Sequence, residues 1–335
     1  MRLILHIGGA KCGSTAIQGS LRDNADRLAK ERGILIPGTT LEPTENVTGE
    51  QIFFFERMRT DKEQGLIAVT NRLRRLQSYM RERDLHTLII SAENLINPGG
   101  FEEFFIEAQA YFDIEVILYI RRQDQYFVSA WQQWHLKTFP SLQDYVDDRL
   151  GRDANWNQLI APWEQTLGAE KITLRRFSRN LLVNQDIASD FFQTMRLGDI
   201  YENAAGKTRN KSFNEHLGEV AGRVQDLFEG PHDNTFYDVM QRTIGEKALK
   251  PSSGSFLFTS EERHAILAAY EEDNAALKAR YFPELGPDEP LFKPPSEKEI
   301  LKISEDDKRK AEVDLLTRAV YNLANRLTEL EKDKA

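Results

Sequence analysis

Cysteine is almost absent: Cys12 stands alone in 335 residues, which excludes an intrachain disulfide framework and fits a reducing compartment. Long apolar runs are missing too. The opening "RLILHI" is broken by His6 and followed by glycine, too short for a signal-peptide core, and no later stretch approaches a membrane span. A soluble, cytoplasmic chain with no transmembrane segment is expected. Basic residues are the minority, 44 Lys and Arg against 53 Asp and Glu, for a net charge of -9. That balance argues against a general nucleic-acid binder while leaving room for one basic pocket. No His, Cys, Asp or Glu cluster has metal-ligand spacing, so no metal is expected. There is no internal repeat and no low-complexity tract.

What is present alternates. Apolar runs at 2–7, 34–37, 87–91, 115–121 and 171–177 read as strands, with helical patterns between them from Thr15 to a stop at Gly33, over 63–83, over 100–112, over 124–137 and over 185–196. Strands separated by helices imply parallel βαβ units. The expected fold is α/β, a three-layer sandwich around a central parallel sheet of about five strands, with ligands at the strand carboxyl ends. Beyond residue 212 helices take over, at 213–229, 235–247 and 260–280. The expected organisation is a core over 1–200, its helical completion over 201–295, and a terminal helix over 296–335. That last helix spaces Val313, Leu316, Val320, Leu323, Leu327 and Leu330 by three and four residues in turn. Such a heptad seam of about two and a half repeats suits either a homodimer contact or a terminal helix lying on its own domain.

The first strand runs into "GGAKCGST" (8–15). Gly8, four residues, Gly13 and then Ser14-Thr15 is nearly the spacing of a nucleotide-binding P-loop. The lysine that should follow the second glycine is missing; Ser14 takes its place, and Lys11 sits earlier, in the crown of the loop. A glycine turn between strand and helix can be a plain connection. It also exposes successive backbone N–H groups at the positive end of a helix dipole, which is a phosphate site whatever the lysine does. Gly9, Ala10, Lys11, Cys12, Gly13, Ser14 and Thr15 are the candidate phosphate-binding residues.

"LHIGGAKCGSTAIQ" (5–18) resembles the 5′-phosphosulfate loop of bacterial P-loop sulfotransferases of the carbohydrate type. "YIRRQDQYFVSAWQQ" (119–133) resembles their 3′-phosphate motif, an Arg at a strand end and a Ser eight residues on, here Arg121 and Ser129. A weaker likeness at "RNKSFN" (209–214) adds Asn210 and Ser212, and one at "RYFPELGPDEPLF" (280–292) completes the span. Cys12 departs from the pattern, standing where a Thr or Ser hydroxyl is usual. The resemblance implies metal-free transfer of a sulfuryl group from 3′-phosphoadenosine 5′-phosphosulfate to an acceptor hydroxyl or amine, with a sugar, polysaccharide or glycolipid as the acceptor class. Lys11 would then stabilise the leaving 5′-phosphate, and its displaced position follows from the different leaving group.

An attacking hydroxyl needs a base. Glu93, at the end of the 87–91 strand, is the first candidate; Glu50, in "GEQIFFF" (49–55), is the second. Each can instead be an ordinary strand-end or loop acid. His6 reads as a core residue and His135 as a packing one. The four tryptophans, Trp131, Trp134, Trp156 and Trp163, read as core more than as sugar platforms. Cys12, at a helix N-terminus beside Lys11, is placed for a lowered thiol pKa, but Gln18 stands where a Cys-based phosphatase needs Arg. The competing functions are a non-catalytic nucleotide-binding or scaffold protein and a P-loop kinase. The kinase would require Lys at position 14.

Overall fold

Five short strands join in one all-parallel sheet in the order β2-β3-β1-β4-β5. They are β1 (Arg2–His6), β2 (Ile34–Leu35), β3 (Thr87–Ser91), β4 (Asp113–Ile120) and β5 (Ile172–Arg176). The computed structural model describes residues 1–43, 51–93, 95–197, 214–230, 233–245 and 254–332. Consecutive residues of β1, β3 and β4 are buried, so both sheet faces are covered, as a continuous apolar run in a parallel sheet requires. The expected α/β sandwich with a five-stranded parallel sheet is what forms. The central strand, β1, pairs with β3 through His6 opposite Ser91 and with β4 through His6 opposite Ile117. The segments that follow β1, β3 and β4 therefore emerge side by side at the carboxyl edge.

The chain divides into two units. The first comprises Met1–Arg122, Ala154–Arg209 and Glu272–Leu291 and holds the sheet; the second comprises Gln123–Asp153, Asn210–Glu271 and Phe292–Ala335.

In the first unit the helix expected from Thr15 to Gly33 is two helices, α1 (Ser14–Asp23) and α2 (Ala25–Arg32). Asn24 breaks it: its side-chain amide donates to the Ser20 carbonyl at 2.8 Å, the same carbonyl its backbone N–H reaches at 3.1 Å. Gly33, at φ 59°, ends α2 as expected. Next come α3 (Gln51–Thr60) and α4 (Lys62–Glu82), the latter capped by Asp61. The helix expected over 100–112 is instead two 3-10 turns, Glu102–Phe105 and Glu107–Ala110. Phe101 and Phe104 are both buried, and i,i+3 bonds such as Phe104 N–H to Phe101 carbonyl align them on one side.

In the second unit α5 (Gln123–Gln133) ends short of Lys137, in a 3-10 turn at His135–Lys137, and is followed by α6 (Leu142–Arg149). The first unit resumes with α7 (Trp156–Leu167) and, after β5, α8 (Ile187–Thr194), whose N-cap Asp186 accepts from the Ser189 N–H at 2.7 Å. Of the expected 213–229 helix, α9 (Glu215–Arg223) forms and a 3-10 turn at Gln225–Leu227 replaces the rest; α10 is Thr235–Ile244. The expected 260–280 helix is split into α11 (Ser260–Ala268) and α12 (Glu271–Tyr281). Tyr270 marks the break, its hydroxyl donating to the Asp153 carbonyl at 2.6 Å and accepting from the Gly151 N–H at 2.9 Å. The last helix, α13, is Glu305–Lys332.

Candidate functional site

The loop after β1 adopts backbone that few residues tolerate. Gly9 (φ 122°), Lys11 (φ 64°) and Gly13 (φ 87°) all have positive φ. A side chain at Gly9 would run into the Tyr119 carbonyl of β4, and one at Gly13 would meet Ile187 Cγ1 at 3.0 Å. Lys11 has no such excuse as a bulky residue in the left-handed region, so the loop holds it there by its other contacts. The turn delivers the chain into α1, whose N-terminus receives no side-chain cap. Ser14, the first helical residue, is buried, and its Oγ has no hydrogen-bond partner. A buried hydroxyl without a partner is costly unless a ligand satisfies it.

Charge gathers on the same loop from both neighbouring strands. Arg121, the first residue past β4, donates from Nη1 to the Lys11 carbonyl at 3.0 Å. Its guanidinium lies 5.6 Å from the Phe177 ring centroid, and its own carbonyl accepts from Trp156 Nε1 at 2.8 Å. Burial first, and then the Arg121 charge, push the Lys11 ammonium down to about 8, with Glu93 pulling the other way. Glu93, just past β3, has its carboxyl pKa raised by burial, an effect the Lys11 charge opposes. Two cations at a loop that ends in an unpartnered buried hydroxyl at a helix N-terminus are chemically suited to an anion.

No protein-family model matches this chain, and no curated protein matches it. Among solved structures, a sulfotransferase from Alicyclobacillus acidocaldarius is similar over 83% of this chain and 95% of its own. The identity is 16% and the TM-score 0.36. Likeness at that level says nothing about what this chain binds or transfers.

The fold brings Lys11, Ser14, Arg121 and Glu93 together on the first unit. Thr15 stands exposed on the first turn of α1. Cys12 does not fit its expected place. Its thiol is buried and turned toward the Ala10 carbonyl at 3.5 Å, and its N–H donates to the Gly9 carbonyl at 3.0 Å, so both groups serve the loop itself. Burial pushes the thiol up to about 12, the reverse of the lowering expected from the helix N-terminus, because desolvation outweighs the nearby cations. Ser129 lies on α5, in the second unit. Glu50, Asn210 and Ser212 lie outside the described residues.

His6 is a core residue, its Nδ1 2.7 Å from Ser91 Oγ and its pKa pressed down to about 3 by burial. His135 stacks on Tyr145 with centroids 4.1 Å apart. Trp131, Trp156 and Trp163 are buried. Sequence reasoning missed Phe177 and the part Trp156 plays in seating Arg121. An aromatic directly after β5, the strand beside β4, was the available signal for Phe177.

Proposed function

We propose that the chain is a sulfotransferase that moves a sulfuryl group from 3′-phosphoadenosine 5′-phosphosulfate to an acceptor hydroxyl. The observation that carries this is the position of the lysine. Lys11 rides in the crown of the loop, in left-handed backbone, within the electrostatic reach of both Arg121 and the Glu93 carboxyl. A P-loop kinase would need its lysine at position 14, where Ser14 stands. In the proposed reaction the acceptor hydroxyl gives its proton to Glu93 as its oxygen bonds to sulfur. The bond from sulfur to the bridging oxygen breaks, and its electrons stay with the departing 5′-phosphate of adenosine 3′,5′-bisphosphate. Lys11 neutralises the charge that develops there, while the amides of the α1 N-terminus and Ser14 Oγ hold the phosphate. The acceptor class, a sugar or glycolipid hydroxyl, rests on the resemblance alone.

Calorimetric titration tests the donor site. Adenosine 3′,5′-bisphosphate should bind with a dissociation constant on the order of micromolar, Mg-ATP far more weakly, and Arg121→Ala should remove the bisphosphate binding. Tight Mg-ATP binding with indifference to the bisphosphate would overturn the proposal.

The lysine supplies a second check. Only its charged form attracts the nucleotide, and the phosphates are fully ionised above neutrality. Bisphosphate affinity should therefore start to decline as the pH approaches about 8, where Lys11 is half deprotonated, and fall by about tenfold per pH unit above it. Lys11→Arg, which stays charged, should flatten that alkaline limb. A limb of the same shape in Lys11→Arg would assign it to another group.

A further inference from the structure

Helix α13 is held to the second unit by one face and leaves another bare. The held face runs through Lys308, Glu312, Ala319 and Asn322. Glu312 pairs with Arg223 of α9 at 2.6 Å, Asn322 Nδ2 donates to the Thr243 carbonyl of α10 at 2.8 Å, Lys308 Nζ lies 4.9 Å from the Phe256 ring centroid, and Ala319 is buried. The heptad seam is not on that face. Val313, Leu316, Val320, Leu323, Leu327 and Leu330 are between 43% and 67% exposed. From Leu323 to Lys332 every residue is exposed. Single exposed apolar residues are ordinary; four leucines and two valines in register along one helix call for a partner.

We infer that this seam is the interface with a second copy of the chain, the two α13 helices pairing parallel and in register as a short two-stranded coiled coil. The a positions carry Val313, Val320 and Leu327 and the d positions Leu316, Leu323 and Leu330; β-branched residues at a with Leu at d favour two parallel strands. The flanking charges complement one another in that arrangement. Arg326 falls at g and Glu331 at the e position of the next heptad, so each Arg326 meets the Glu331 of the other copy, twice by symmetry. An antiparallel pairing sets g against g, and of the other g residues Glu312 is already bound to Arg223 and Ala319 is buried against its own unit. The seam is short for a free coiled coil. Here the docked half has already ordered the helix, so association does not have to nucleate it.

Sedimentation of the full chain from about 1 to 200 µM tests this. The expected result is a reversible monomer–dimer equilibrium in the micromolar range. Leu323→Glu with Leu327→Glu should leave monomer at every concentration. Both sites are exposed, so the circular-dichroism melt, taken below the concentration at which the wild type dimerises, should be unchanged. Arg326→Glu should weaken the dimer about three- to tenfold, and adding Glu331→Arg should restore it. Leu330→Cys should form an interchain disulfide on oxidation, since only a parallel pair sets d against its own counterpart, and Cys12 is buried. A wild-type monomer at the highest concentration, a dimer indifferent to the glutamates, a trimer or tetramer, or a charge swap without recovery would each overturn the inference.

Discussion

Replacing Glu93 by Gln is expected to lower the turnover number by about a hundred- to ten-thousandfold, the range a positioned general base contributes. Glutamine keeps the shape and the acceptor oxygen but cannot take a proton. Burial raises the Glu93 carboxyl above its ordinary value, which makes it a better base, while the Lys11 charge holds it back from full neutralisation. On the proposed reaction, the wild-type protein should accordingly lose activity as acid protonates Glu93, with the acidic limb of kcat/KM lying above the usual carboxylate range. In Glu93→Gln that limb should vanish along with the rate. Bisphosphate binding should survive and become slightly tighter, because a negative charge has left the neighbourhood of an anion. The measurement is turnover against pH with a hydroxyl acceptor, beside calorimetry with the bisphosphate. Full activity in the variant would remove Glu93 as the base and turn attention to Glu50.

The largest loss of stability should come from a residue with no part in that chemistry. Asp124, in the first turn of α5, pairs with Arg263 of α11 at 2.7 Å, and the two side chains are 0% and 3% exposed. Asp124→Ala should destabilise the protein by about 3–5 kcal/mol, since it leaves a guanidinium buried without its counter-charge. Arg263 has little to fall back on: its Nε is buried and has no hydrogen-bond partner. The loss should appear as a lower urea midpoint at unchanged slope. Asp124→Leu combined with Arg263→Met should recover most of it, because an apolar pair of similar volume carries no desolvation cost. A double variant as weak as Asp124→Ala would show that the charge pair is not what holds α5 to α11.

Much of the fold was legible because its signals are local. β1, β3 and β4 are apolar runs buried on both faces, and such runs stand out in the chain whatever surrounds them. The glycine loop, Lys11 in its crown and Arg121 at a strand end were legible for the same reason: each belongs to one strand and the turn after it. Boundaries were less so. The break at Asn24 depends on a side chain competing for the Ser20 carbonyl, and the 3-10 turns over 102–110 depend on where Phe101 and Phe104 find cover. Cys12 was read from its helix terminus, but the number of atoms packed around the thiol decides its pKa, and that number is not a property of the sequence near it.

The sequence by itself determined the alternation of strand and helix, the phosphate-loop spacing with its lysine displaced from position 14, and the three-and-four rhythm from Val313 to Leu330. Turn chemistry and side-chain periodicity reside in a few consecutive residues, so no distant contact is needed to express them. Only the tertiary structure decided that β3 and β4 flank β1. That order carries Glu93 and Arg121 to the same loop, Arg121 from 110 residues away. It also decided that Ser14 is buried without a partner, that burial and the Arg121 charge push the Lys11 ammonium down, and which face of α13 is left bare. Strand order, desolvation and exposure are set by segments remote in the chain closing on one another, and they come into being only when the chain has folded.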